Sequence, residues 1–76
     1  MYSMESYKLR IKSYRILKGY SQKELAAKVG ISQNYLSELE NGKYDIKLSL
    51  LCKISSVLNV PVCLLFESKI NTGNFN

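Results

Sequence analysis

Ser21-Gln22-Lys23-Glu24-Leu25-Ala26-Ala27-Lys28-Val29-Gly30-Ile31-Ser32-Gln33-Asn34-Tyr35-Leu36-Ser37-Glu38-Leu39-Glu40-Asn41-Gly42 is the stretch that decides the fold. It spells two short helices and the bend between them. Ser21 and Glu24 have the S-x-x-E form of a capping box: the serine oxygen takes the amide of the third helical residue and the glutamate returns to the cap amide. A helix therefore starts at this point, with Leu25, Ala26 and Val29 facing inward. Gly30 follows as a residue able to turn into the left-handed conformation. Ile31 then plugs inward, Ser32 supplies another N-cap, and Gln33 to Glu40 read as a helix with Leu36 and Leu39 inward at a spacing of three. Asn41-Gly42 ends it. For the segment 21–28 to cross 32–40 closely, Ala26 has to be small and Gly30 has to turn, while Val29, Ile31, Leu36 and Leu39 fill the angle. A generic helical hairpin tolerates a larger residue at 26 and a non-glycine at 30.

Working outward, Tyr7, Ile11 and Tyr14 follow one face at steps of four and three, which predicts a first helix from about Ser6 to Lys18, closed by Gly19 with Tyr20 packing back. On the other side, a loop Lys43-Tyr44-Asp45-Ile46 leads to a fourth helix from about Lys47 to Leu58, with Asp45 as its cap and Leu48, Leu51, Ile54 and Leu58 as its inward stripe. Pro61 suits the first position of a last short helix, Val62 to Phe66, because its missing N–H costs nothing there. Helical spacing throughout predicts an all-α class: a compact five-helix bundle without a sheet. One domain is expected over 6–67, with residues 68–76 as a flexible tail that has lost apolar periodicity.

The 76 residues carry 11 Lys and Arg against 6 Asp and Glu, a formal charge of +5, which favours a polyanionic partner. The lysines scatter from Lys8 to Lys69 rather than lining one amphipathic helix, which argues against a membrane surface. No apolar run is long enough to span a bilayer and the N-terminus has no leader pattern, so a cytoplasmic location is expected. Cys52 and Cys63 are eleven positions apart in a chain with no His, so no metal set is expected, and they read as reduced apolar packing residues. No G-x-S-x-G elbow and no phosphate-cradling G-x-x-x-x-G-K occurs; no enzyme, catalytic residue, cofactor or small-molecule ligand is expected.

From about Tyr7 to Phe66 the chain resembles the phage-repressor and Cro-like helix-turn-helix proteins, the XRE family. The resemblance is carried by Ser21 to Ala26, Val29-Gly30-Ile31-Ser32, Leu36 to Gly42, and Leu51 to Leu58 with Val60. It departs from that pattern at Ile46, where the family commonly has proline. The resemblance implies a lambda-repressor-like fold whose third helix enters the major groove of double-stranded DNA, with Gln33, Asn34, Tyr35, Ser37 and Glu38 as candidate base readers. A carboxamide at Gln33 or Asn34 matches adenine N7 and N6, Tyr35 suits a thymine methyl or a phosphate, and Glu38 suits cytosine N4. Phosphate contacts are expected from Gln22 and Ser32 at helix starts and from Asn41, Gly42, Lys43 and Tyr44 beyond the third helix, with Lys23, Lys28 and Lys47 adding to the field. Arg15 and Glu40 fall where the family places a structural ion pair.

Each of these residues has a plainer reading. Gln33, Asn34, Glu38 and Lys43 read also as solvated surface, and Tyr35 as an edge packing residue. One reading helix covers few base pairs, so the function expected is that of a homodimeric transcriptional regulator on a palindromic operator. Val60, Val62, Leu65 and Phe66 are the candidate dimer strip, with simple closure of the core as the alternative. The competing function is an antitoxin or other protein-interaction module that uses its helix-turn-helix mainly for autoregulation.

Overall fold

The computed structural model describes residues 7–68. Among these, the elements are β1 (Tyr7–Leu9), α1 (Ile11–Leu17), α2 (Gln22–Val29), α3 (Gln33–Glu40), α4 (Leu48–Leu58), a single 3-10 turn at Val62–Leu64, and β2 (Phe66–Ser68). Both expected N-caps are made: Ser21 Oγ accepts from the Glu24 amide at 3.0 Å while Glu24 Oε1 accepts from the Ser21 amide at 2.8 Å, and Ser32 Oγ accepts from the Tyr35 amide at 3.0 Å. These local bonds satisfy amides that the helices cannot satisfy themselves.

The four α-helices stop by one device. Gly19, Gly30, Gly42 and Asn59 each take a positive φ. The residue after each one returns its amide to a carbonyl five positions back: Tyr20 to Arg15, Ile31 to Ala26, Lys43 to Glu38 and Val60 to Ser55. At Gly30, φ is 80°, and the nearest atom to an added Cβ is the flexible end of Lys53 at 3.7 Å. The demand at position 30 is thus conformational rather than one of space.

The core gathers Ile11 from α1, Leu25, Ala26 and Val29 from α2, Leu36 from α3, Leu51, Ile54 and Leu58 from α4, and then Val60 and Leu65. Ala26 is buried between α2 and its neighbours, and Tyr20 and Ile31 pack partly buried against the cluster. No helix among the described residues is long and apolar enough to cross a membrane.

The expected elements need five corrections. First, Tyr7 to Leu9 is a strand and not the first turn of α1: it pairs antiparallel with Phe66–Ser68, Tyr7 opposite Ser68 and Leu9 opposite Phe66. The bundle therefore carries a two-stranded ribbon, because so short an apolar run fits a period of two as well as one of 3.6. Second, the fifth helix shrinks to the 3-10 turn, since Phe66 leaves it to join the ribbon. Third, the N-cap position of α4 is Lys47, with no side-chain cap bond, so Asp45 lies outside that role. Fourth, Leu48 is 69% exposed: the first turn of α4 overshoots the core that Leu51 enters. Fifth, Cys52 and Cys63 are exposed free thiols rather than packing residues. The expected helix start at Ser6 and residues 69–76 of the expected tail lie outside the described residues.

Candidate nucleic-acid interface

α2 and α3 pack on each other, with Leu25, Ala26 and Leu36 in one core cluster, and the burial of Leu36 and Leu39 decides which side of α3 faces outward. At 3.6 residues per turn, Leu36, Leu39 and Glu40 fall on one side of the helix. Leu36 and Leu39 are fully buried, and the Glu40 side chain is only 1% exposed. Going round the rest of the helix, the order is Gln33, Ser37, Asn34, Glu38, Tyr35. Gln33 and Asn34 are exposed; Ser37, Glu38 and Tyr35 are half-buried. Gln33, Asn34 and Ser37 line an open depression with Gln22 of α2, while Glu38 and Tyr35, further round the helix, meet Lys43 and Tyr44.

Beneath that depression lies a fork. Arg15 Nε meets Glu40 Oε2 at 2.7 Å and Arg15 Nη2 meets Glu40 Oε1 at 3.2 Å, while Arg15 Nη1 donates to the Tyr20 carbonyl at 2.9 Å. Arg15 is 7% exposed, so the pair is shielded and ties α1 to the end of α3. Gln22 Nε2 also donates to Glu40 Oε1, at 3.0 Å. This bond was not foreseen. It uses one amide hydrogen of Gln22 and orients the second, which stays available to an anion. The hydroxyl of Ser32 is similar: its oxygen is used as the cap acceptor, but its proton can still be donated.

Past α3, Gly42 returns its amide to the Leu39 carbonyl at 3.1 Å and Lys43 to the Glu38 carbonyl at 3.0 Å. Lys43 Nζ then reaches the Glu38 carboxylate, 3.1 Å from Oε2, and lies 5.5 Å from the centre of the Tyr44 ring. The Tyr44 ring in turn sits 6.0 Å from that of Tyr35, tilted by 45°. Asn41, Gly42, Lys43 and Tyr44 are all exposed. Glu38, expected as a reader, and Lys43, expected as a phosphate clamp, are thus partners of each other. The signal for this was in the sequence: a left-handed glycine at 42 brings the residue after it back over position 38.

The candidate dimer strip divides. Val60 is 5% exposed and Leu65 is 0% exposed, both within the core cluster, so neither can meet a partner. A domain this small needs them to close its own interior. Val62 is half-buried and Phe66 is exposed; Phe66 lines an apolar groove with Leu9, Ile46, Leu48 and Leu51.

The Glu24 carboxyl at the head of α2 is held below the ordinary glutamate range, first by the bond from the Ser21 amide and then by the Ser21 side chain.

The chain matches the helix-turn-helix family HTH_3 over residues 11–65. It is 45% identical over 64 residues to the HTH-type transcriptional regulator SinR of Bacillus subtilis (strain 168), covering 83% of this chain and 58% of SinR. The chain thus spans somewhat over half the length of that relative. Among solved structures, it is similar to the master regulator for biofilm formation SinR in complex with DNA, with a TM-score of 0.69 and 46% identity over 74% of this chain and 90% of that one. The restriction-modification controller protein C.AhdI from Aeromonas hydrophila gives a TM-score of 0.70 at 28% identity, over 74% of this chain and 81% of that one. With two capped helices packed on each other, a left-handed turn at Gly30 and a family match that takes in α1 through Leu65, this chain belongs to the helix-turn-helix family, in its Cro and phage-repressor-like, XRE-type branch.

Proposed function

We propose that the chain binds double-stranded DNA in a sequence-specific manner and regulates transcription as a homodimer, reading a palindromic operator through α3. The observation that carries this reading is the division of α3 into a side locked to the core by Leu36, Leu39 and Glu40 and a remaining surface carrying Gln33, Ser37, Asn34, Glu38 and Tyr35. The relative solved with DNA, at 46% identity, supports carrying that use of the fold to this chain. In this reading Gln33 and Asn34 address adenine, Glu38 accepts from cytosine N4, and Tyr35 touches a thymine methyl or a phosphate. Gln22, Ser32, Asn41, Gly42, Lys43 and Tyr44 hold the backbone of the duplex. The formal charge of +5 draws the protein to the polyanion without choosing a sequence.

One α3 reads only a few base pairs, so two copies related by a two-fold axis, their reading helices about 34 Å apart, supply the specificity. The apolar groove edged by Leu48 and Phe66 is the surface for the second copy. Residues 6–68 form the DNA-binding unit, the expected boundary at 67 moving by one residue because Ser68, expected to open the tail, pairs with Tyr7 in the ribbon. Selection of bound duplexes from a random oligonucleotide pool tests the whole reading: the enriched sequences are expected to share an inverted repeat. A pool that stays unenriched, with the folded protein present, overturns it.

A further inference from the structure

The Glu38–Lys43 pair sits between the part of the surface assigned to bases and the part assigned to phosphates. The inference drawn from it rests on the DNA-binding reading above. We propose that Glu38 holds Lys43 away from the duplex and gives it up to a phosphate only where a base amino group, such as that of cytosine, replaces it on the carboxylate, so that the pair determines specificity as a unit.

Three features of the geometry support this. Lys43 is tied to Glu38 twice, through its amide to the Glu38 carbonyl at 3.0 Å and through Nζ to the carboxylate at 3.1 Å. Its ammonium also rests 5.5 Å from the Tyr44 ring, which is backed by Tyr35 at 6.0 Å. The lysine therefore has a defined resting place. Second, the side chains are 59% and 28% exposed for Lys43 and Glu38, so water and ions screen the bond and it is weak enough to exchange. A pair buried as deeply as Arg15 and Glu40 would not exchange, because separation would leave a bare charge in the interior. Third, Glu38 stands next to Asn34 and Ser37 on the outward face of α3, where a lone carboxylate would repel phosphates and lack a donor.

These conditions give opposite outcomes on two kinds of DNA. Opposite cytosine, N4–H donates to Glu38, the carboxylate remains satisfied, and Lys43 moves to a phosphate and displaces a counterion. Opposite guanine or thymine, whose major-groove edges offer no donor, moving Lys43 leaves the carboxylate to water alone, so the lysine stays where it is and the duplex loses one clamp. Tyr44, which contacts both the lysine and the Tyr35 ring, keeps the released ammonium close to the same spot.

The test measures binding against salt concentration for the wild-type protein, Glu38→Gln, Lys43→Gln and the double variant, on the duplex selected by the wild type and on an unrelated duplex. Circular dichroism first establishes that each is folded. Wild type is expected to show a salt slope steeper by about 0.9 on the selected duplex than on the unrelated one, one extra counterion released. Glu38→Gln is expected to bind the unrelated duplex about threefold more tightly and to steepen its slope there by about 0.9, both gains vanishing in the double variant. If the gain from Glu38→Gln persists undiminished when Lys43 is also replaced, or if it is absent, the proposal is overturned while DNA binding stands. If the wild type retains no duplex at all, the DNA-binding reading falls, and this proposal with it.

Discussion

Arg15 and Glu40, twenty-five positions apart, meet as a fork in which Nε lies 2.7 Å from Oε2 and Nη2 lies 3.2 Å from Oε1. The carboxylate also accepts from Gln22, and its side chain is almost wholly shielded from water. Removing the guanidinium would therefore leave a buried anion with only an amide donor. Arg15→Ala is expected to cost about 3 kcal/mol of stability, well above what an exposed pair contributes. Urea unfolding measures this, and a loss below about 1 kcal/mol would show that the pair is more solvated than its geometry implies.

The turn between α2 and α3 makes a second demand. Gly30→Ala meets only an ordinary contact with the end of Lys53 but must hold φ near 80°, so the expected cost is about 1 to 2 kcal/mol from conformation alone. Ala26→Leu meets the opposite problem, since Ala26 is 1% exposed, and overpacking there is expected to cost about 1 to 3 kcal/mol. It should also impair DNA binding more than its stability loss explains, because it splays α3 from α2. Equal losses of binding and folding in Ala26→Leu would contradict that.

Gln33→Ala is expected to weaken binding to the preferred duplex by about 1 to 3 kcal/mol and to relax preference at one base pair, leaving unrelated DNA nearly unaffected. Repeating the oligonucleotide selection with this variant checks it. An unchanged preference would move the reading residue elsewhere on α3.

Acid should weaken the head of α2. The Glu24 carboxyl is held low by the Ser21 amide and side chain, so the unfolded chain binds its proton more readily than the folded one does. Its contribution to stability is then fully present above the ordinary glutamate range and disappears as the pH falls through the lowered folded value. Ser21→Ala is expected to raise the Glu24 titration midpoint seen by carbon-detected NMR and to flatten the acid limb of stability against pH. A midpoint unmoved by that change would remove the Ser21 hydroxyl as a cause and leave the Ser21 amide, which alanine retains.

Leu48→Glu places a charge at the edge of the apolar groove on a side chain that is 69% exposed, so the fold should survive it. Sedimentation at micromolar concentration is expected to show dimer for the wild type and monomer for the variant. If both sediment alike, the second copy docks elsewhere or not at all.

What was legible in the sequence was local. Ser21 with Glu24, Ser32 and Gly42 act over a few residues, and their helix boundaries in α2 and α3 agree with expectation to within a residue. The ribbon was not legible, because Tyr7 to Leu9 finds its partner at the far end of the domain and a three-residue run has no period of its own. Leu48 was misplaced for a related reason: its spacing fits the stripe of Leu51, Ile54 and Leu58, but spacing does not say where the core ends. Val60 and Leu65 were drawn toward an interface by their apolar character, whereas so small a fold uses them inside. The five outward residues of α3 followed from helical spacing, while the bond between Glu38 and Lys43 needed the turn at Gly42 to be drawn in three dimensions.

The pairing of Tyr7 with Ser68 brings the head and foot of the folded unit side by side. Whatever is fused ahead of one or behind the other must emerge from a common doorway, so two added modules would be neighbours from the start. A circularly permuted version, stitched across that doorway by a short flexible bridge, should fold with its helices undisturbed. Because the ribbon can zip only after the helices have brought its halves together, it should be the last part to form and the first to fray.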